Sequence, residues 1–161
     1  INNITGNPAK NKALLIKAAD EFGITEPKAR AMFFAQTDHE SGGFSKLTES
    51  LKYSADGLLK TFPKYYKTRE DAERDARNEE VIAERVYGGR DGNTARGDGY
   101  RYRGRGFIQL THRSGYEAAS RALGMDLVNN PELASIPENA ARIAAWRFKL
   151  RKSDVYATQG D

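Results

Sequence analysis

The chain has 161 residues, long enough for one core-forming domain, with 39% apolar and 30% charged residues that point to a globular protein rather than a disordered one. No cysteine is present, which excludes disulfides, thiolate nucleophiles and cysteine-ligated zinc. A net charge of +4 favours polyanionic partners, while no apolar run approaches the ~20 residues of a membrane-spanning helix, so no stable membrane insertion is expected.

Helical periodicity begins with "KNKALLIKAADEFG", whose Leu14, Leu15, Ala18, Ala19 and Phe22 share a face that ends at Gly23. Thr25 can cap a second helix with Pro27 in its first turn, running through Met32, Phe33, Gln36 and Glu40 until Ser41 and two glycines end it. Ser54 begins a short helix closed by Pro63. Thr68, with Asp71 three positions on, resembles a capping box that opens a charged segment continuing into the amphipathic "EEVIAERVYGG".

From Gly88 to Gly106 seven glycines interrupt any helix, predicting a long ordered loop with at most a small β-hairpin at its end. "HRSGYEAASRALG" then reads as a helix closed by Gly124. Pro131 and Pro137 each start a further helical segment, the last offering Ile143, Ala144, Trp146, Phe148 and Leu150 for burial. The expected fold class is mainly α with an irregular glycine-rich middle.

"YRYRGRGFIQL", Tyr100 to Leu110, interleaves three arginines with aromatics and glycines in a way that suggests RNA. The match to an RNA-binding strand fails at its stacking positions, where Arg105 and Leu110 stand and only Phe107 remains, and the four-stranded sheet it needs is not in the pattern. No nucleic acid partner is expected. An alternative use of such a segment is close backbone approach to a ligand, with Arg103 or Arg105 buttressing a carboxylate.

Two upstream glutamates supply that carboxylate chemistry. Glu40 and Glu49 lie nine positions apart, one at a helix end and one in a loop. Glycoside hydrolysis needs one protonated carboxyl to donate to the leaving oxygen and one ionised carboxyl to activate water or attack. A last-turn glutamate faces unpaired carbonyls and the negative end of the helix dipole beside phenylalanines, which favours Glu40 as the acid; Glu49, among Lys46, Lys52, Thr48 and Ser50, suits the base. "HESGG" lacks the second histidine of a zinc peptidase, and Asp91 and Asn93 lack the later oxygens of a calcium loop, so no metal or other cofactor is expected. His39 reads as structural, and His112 as a surface or packing residue.

Four blocks in order, "FFAQTDHESGGF", "TESLKYSADGL", "RVYGGRDGN" and "GDGYRYRGRGFIQLTHRSGY", resemble the family 19 glycoside hydrolases, in particular the cysteine-free chitinase-like endolysins of bacteriophages. The resemblance implies a lysozyme-like fold of two helical lobes around a sugar cleft, hydrolysis of β-1,4 bonds by single displacement with inversion, Glu40 as general acid and Glu49 as general base. It further implies that Thr111 helps hold the attacking water and that Gln109 contacts substrate, with Tyr102, Arg105 and Tyr116 as further substrate-binding positions. An inverting pair of carboxyls is expected ~6.5 to 9.5 Å apart.

Two departures stand out: Gly115 occupies a position where many members have Asn, and relatives continue past the equivalent of Asp161 into a segment that completes one cleft wall. Residues 1–161 are therefore expected to form a single catalytic domain lacking that C-terminal segment. A basic chain without disulfides suits peptidoglycan, with its peptide carboxylates, better than neutral chitin. The expectation is a monomeric muramidase acting on peptidoglycan glycan strands, made in a bacterial cytoplasm without a signal peptide and acting on the wall in the periplasm. The alternatives are a chitinase and a non-catalytic wall-binding fragment.

Overall fold

A computed structural model describes residues 7–158, with side chains to Lys152; the chain end at Asp161, on which the expectation of a missing segment turns, lies outside them. The described residues form eight α-helices and a 3-10 helix, Pro131–Ser135. The architecture is mainly α. The small hairpin allowed by the sequence is reduced to isolated bridges, Thr48 to Arg105 and Arg105 to Leu110.

The chain divides into two compact units, and neither is continuous in sequence. Unit 1 comprises residues 1–48, 105–110 and 132–161; unit 2 comprises 49–104 and 111–131.

Unit 1 is built on α1 (Pro8–Glu21), α2 (Pro27–Ser41) and α8 (Pro137–Thr158). Asn7 caps α1 by accepting from the N–H groups of Ala9 and Lys10, and Pro8 occupies the first turn, where its missing N–H costs nothing. The cap of α2 is Glu26, not Thr25: its carboxylate accepts from Lys28 and Ala29, so a side chain one residue closer and two carbons longer satisfies the two free amides. Gly42 ends α2 in the left-handed conformation.

The core joins Leu15, Ala18 and Ala19 of α1 and Phe33 of α2 to Ala140, Ala141, Ala144, Ala145 and Phe148 of α8, with Leu47 and Phe107. Four alanines on one side of α8 let α1 approach closely. Phe148 meets Phe33 edge-on at 5.4 Å between ring centres. Leu150, expected to be buried, is 46% exposed because the apolar stripe of α8 passes through Ala144 and Phe148 instead.

Unit 2 holds α3 (Ala55–Thr61), α4 (Arg69–Asp75), α5 (Glu79–Tyr87), α6 (Asp98–Arg101) and α7 (His112–Leu123). Ser54 and Thr68 cap α3 and α4 as the sequence predicts, their hydroxyls accepting from Gly57 and Asp71. The charged segment does not run on into α5: Arg77 takes φ 64° and donates its N–H to the Tyr53 carbonyl, and Asn78 caps a separate helix by accepting from Val81. The glycine-rich loop contains one helical turn, α6, which crosses α5 so closely that a Cβ on Gly99 would lie 2.5 Å from the Ala83 carbonyl oxygen.

Leu51, Leu58, Tyr66, Ala72, Ile82, Ala83 and Val86 form the unit 2 core. Into it Tyr66 turns its hydroxyl to donate to Asp75 at 2.9 Å, while Arg74 donates to the same carboxylate at 2.8 Å.

Candidate active site

In unit 2, Glu49 is held from two directions. Its backbone N–H donates to the Gly104 carbonyl at 2.9 Å, and the Gly104 N–H returns a 2.7 Å bond to its Oε1. The Tyr87 hydroxyl, at the end of α5, donates to Oε2 at 3.1 Å. The first bond needs no particular side chain at 104, only a backbone brought within reach.

Both tyrosines near Glu49 keep their protons. Burial, then the Glu49 charge, pushes the Tyr87 hydroxyl well above its ordinary value, and the same two causes act in the same order on Tyr53. A tyrosine that stays protonated remains a donor to a carboxylate.

Thr111 caps α7 with extended backbone (φ −138°, ψ 156°), and its hydroxyl makes no capping bond. The next residue, His112, takes φ 69°, uncommon for a residue with a Cβ. Its ring stands edge-on to Tyr87, 5.3 Å between centres. Asn93, considered as an oxygen ligand, instead ties the glycine-rich loop together: its amide donates to the Tyr87 carbonyl and its oxygen accepts from the Arg113 N–H.

Tyr102 and Tyr116, expected to touch substrate, are 1% and 0% exposed. Their rings pack 5.2 Å apart, and their hydroxyls donate to the carbonyls of Val128 and Arg103. Through Arg103 the second of these bonds fixes the irregular segment that presents Gly104 to Glu49. Arg103 stacks its guanidinium 4.1 Å from the centre of the Tyr100 ring and donates to the Tyr100 carbonyl.

In unit 1, Glu40 occupies the last turn of α2, half-buried, where Gln36 one turn earlier donates its amide to Oε2 at 3.1 Å. The Arg147 guanidinium of α8 is held below its ordinary value by burial and by Arg151, while Glu40 acts on it in the opposite direction. Arg105 is 5% exposed, and its backbone makes both bridges of this unit. Gln109 takes φ 53° at the hairpin tip and folds its amide back to donate to the Gly106 carbonyl at 3.1 Å.

The structure therefore brings Glu49, Thr111, Tyr102 and Tyr116 into unit 2, and Glu40, Arg105 and Gln109 into unit 1. Sequence reasoning passed over Tyr87, Tyr53, Arg147 and the Gly104 amide. The readable signal for Tyr87 was an aromatic in the last turn of an amphipathic helix, directly before the glycine-rich loop.

The model of the family described as chitinase class I, glycoside hydrolase family 19, matches residues 16–155. A Haemophilus influenzae protein described as a glycosyl hydrolase family 19 domain-containing protein is 39% identical over 132 residues, covering 81% of this chain and 66% of its own length. Chitinase 11 of Oryza sativa subsp. japonica is 53% identical over 53 residues, 32% of this chain and 21% of its own. Among solved structures, chitinase C from Streptomyces griseus HUT6037 aligns with a TM-score of 0.47 at 25% identity, covering 85% of this chain and 45% of that one. The chain belongs to glycoside hydrolase family 19, and it spans 66% or less of the length of these curated relatives.

Proposed function

We propose that the chain hydrolyses the β-1,4 glycosidic bonds of peptidoglycan with inversion, as a muramidase of the endolysin kind. Glu40 is the general acid and Glu49 the general base, with the Thr111 hydroxyl helping to hold the attacking water and Gln109 meeting the sugar. The observation that carries this reading is the hold on Glu49. A base that activates water needs a carboxylate fixed in place, and the Gly104 N–H and the Tyr87 O–H donate to one oxygen each and so orient Glu49 from two sides.

The net charge of +4 supports peptidoglycan, whose stem peptides carry carboxylates. The chain acts where that polymer lies, in the bacterial wall, as a monomer and without a nucleic acid partner. A second reading, cleavage of chitin, is favoured by the descriptions of the plant relatives as chitinases and endochitinases. The two polymers share the bond and differ in the lactyl peptide.

Mass spectrometry of fragments released from purified peptidoglycan and from chitin oligomers separates the readings. Reducing N-acetylmuramic acid ends identify a muramidase, and release from chitin alone identifies a chitinase. Glu40→Gln and Glu49→Gln are each expected to lower kcat by about 10² to 10⁴-fold with folding intact. The first product seen by NMR is expected to be the α-anomer, and a β-anomer overturns the inverting assignment. Sedimentation with sacculi without product would leave a wall-binding protein and sink the enzymatic reading.

A further inference from the structure

His112 combines three features that the roles above do not use. Its backbone sits at φ 69° with its N–H donating to the Tyr102 carbonyl at 2.9 Å. Its Nε2 is a buried nitrogen without a hydrogen-bond partner, 3.8 Å from Asp91 Oδ2 and so beyond bonding distance. Its ring edge-packs on Tyr87 at an interplanar angle of 83°, and Tyr87 donates to Glu49. Strain and an orphaned polar atom both cost free energy, and here they fall on one residue, one ring away from a carboxylate.

We propose that His112 is a positioning residue for the Glu49 carboxylate, acting through the Tyr87 ring, and that its protonation loosens that hold in mild acid. Asp91 and Arg90 act on the imidazole from the loop after α5, Tyr87 packs on it from α5, and Glu49 acts on it from the segment before Leu51, while the Tyr102 carbonyl at the end of α6 holds the His112 backbone. On its own helix the neighbouring Arg113 is paired with Glu117 at 3.2 Å.

Burial lowers the affinity of His112 for a proton; Asp91 and Glu49 work against burial, and Arg90 works with it. The ring is therefore neutral at neutral pH, packed on Tyr87 with its Nε2 unsatisfied. Once protonated it has a partner within reach, because closing the 3.8 Å gap to Asp91 forms a charge-assisted bond. That movement draws the ring off Tyr87 and leaves the Tyr87 hydroxyl less well aimed at Glu49.

The catalytic consequence rests on Glu49 being the base; the positioning does not, and the two are tested separately. The chain has two histidines, so the imidazole resonances are readily assigned by NMR. His112 is expected to titrate below the ordinary histidine value of 6.5, to shift lower still in Glu49→Gln, which removes a charge that favours the imidazolium, and to carry the Tyr87 ring resonances through the same midpoint. An ordinary midpoint indifferent to Glu49→Gln, or Tyr87 resonances that ignore it, overturns the proposal.

For hydrolysis, His112→Gln removes the titration, and His112→Asn does so with a side chain that tolerates positive φ. In both variants the acid limb of kcat is expected to lose the component at the His112 midpoint, with kcat down between about tenfold and a hundredfold at neutral pH and KM little changed. A lowered Tm with an unchanged pH profile assigns His112 to packing alone and overturns the positioning role. If the wild-type chain hydrolyses nothing, the glycosidase reading fails while the NMR titration still decides the positioning.

Discussion

Asp75 is a carboxylate with 3% of its surface exposed, and it survives in the unit 2 core because Tyr66 and Arg74 both donate to it. The Arg74 bond, followed by that of Tyr66, holds its carboxyl below the ordinary value of 3.8 against the opposing effect of burial. A carboxylate depressed in the folded state contributes stability that is present above its unfolded value and lost as pH falls through the folded one. Thermal unfolding followed from neutral to strongly acidic pH should therefore show an acid-side loss of Tm that Asp75→Asn flattens. Tyr66→Phe leaves one lone pair of a buried charge unanswered and is expected to cost about 1–3 kcal/mol by urea unfolding. At this scale the sequence was partly readable. Glu49 could be singled out because its neighbours are local, but the donors Tyr87 and Gly104 lie 38 and 55 positions away, and only the folded backbone brings them near. Tyr102 and Tyr116 are substrate-binding positions by resemblance, and the sequence could not show otherwise, because an aromatic beside glycine and arginine looks the same whether its hydroxyl meets a ligand or, as here, a carbonyl inside the unit.

Among the elements, helix boundaries were legible where the stop or start is a local chemical event. Ser54, Thr68 and Gly124 act as the sequence predicts, since a hydroxyl satisfying an amide two or three residues on, or a glycine turning left-handed, requires nothing from the rest of the fold. The boundary between α4 and α5 was missed although Asn78 followed by two glutamates is a start signal of the same kind; the run of charges hid the break that Arg77 makes toward Tyr53. These differences set the expected sensitivities. Ser54→Ala removes one capping bond on a short helix and should cost about 1 kcal/mol. Phe148→Ala removes the ring on which α8 meets α2 in unit 1 and should cost about 3–5 kcal/mol. If urea unfolding shows the two substitutions costing the same, the edge-on Phe33 contact contributes little and the alanines of α8 carry that interface.

For the whole molecule, the order of the chain matters more than the list of helices. Residues 49–131 contain all of unit 2, whose two pieces are separated only by the short segment 105–110, whereas unit 1 is assembled from three separated pieces. An isolated chain of residues 49–131 keeps the complete Leu51 to Val86 core and is expected to unfold cooperatively by far-UV circular dichroism. Residues 1–48 alone present Leu15, Ala18 and Phe33 without the alanines and Phe148 of α8, and are expected to show no cooperative transition. A folded 1–48 fragment would mean that α1 and α2 are held by something other than α8.

The bond from the Gly104 amide to Glu49 has one more consequence, for how this sequence can drift over generations. Its donor belongs to the main chain, and every amino acid but proline carries it. An exchange at an exposed neighbour such as Arg101 leaves that donor in place, whereas Tyr102 and Tyr116, buried on either side, set the path of the main chain that carries it, so drift near residue 104 is expected at the exposed positions and not at the buried ones.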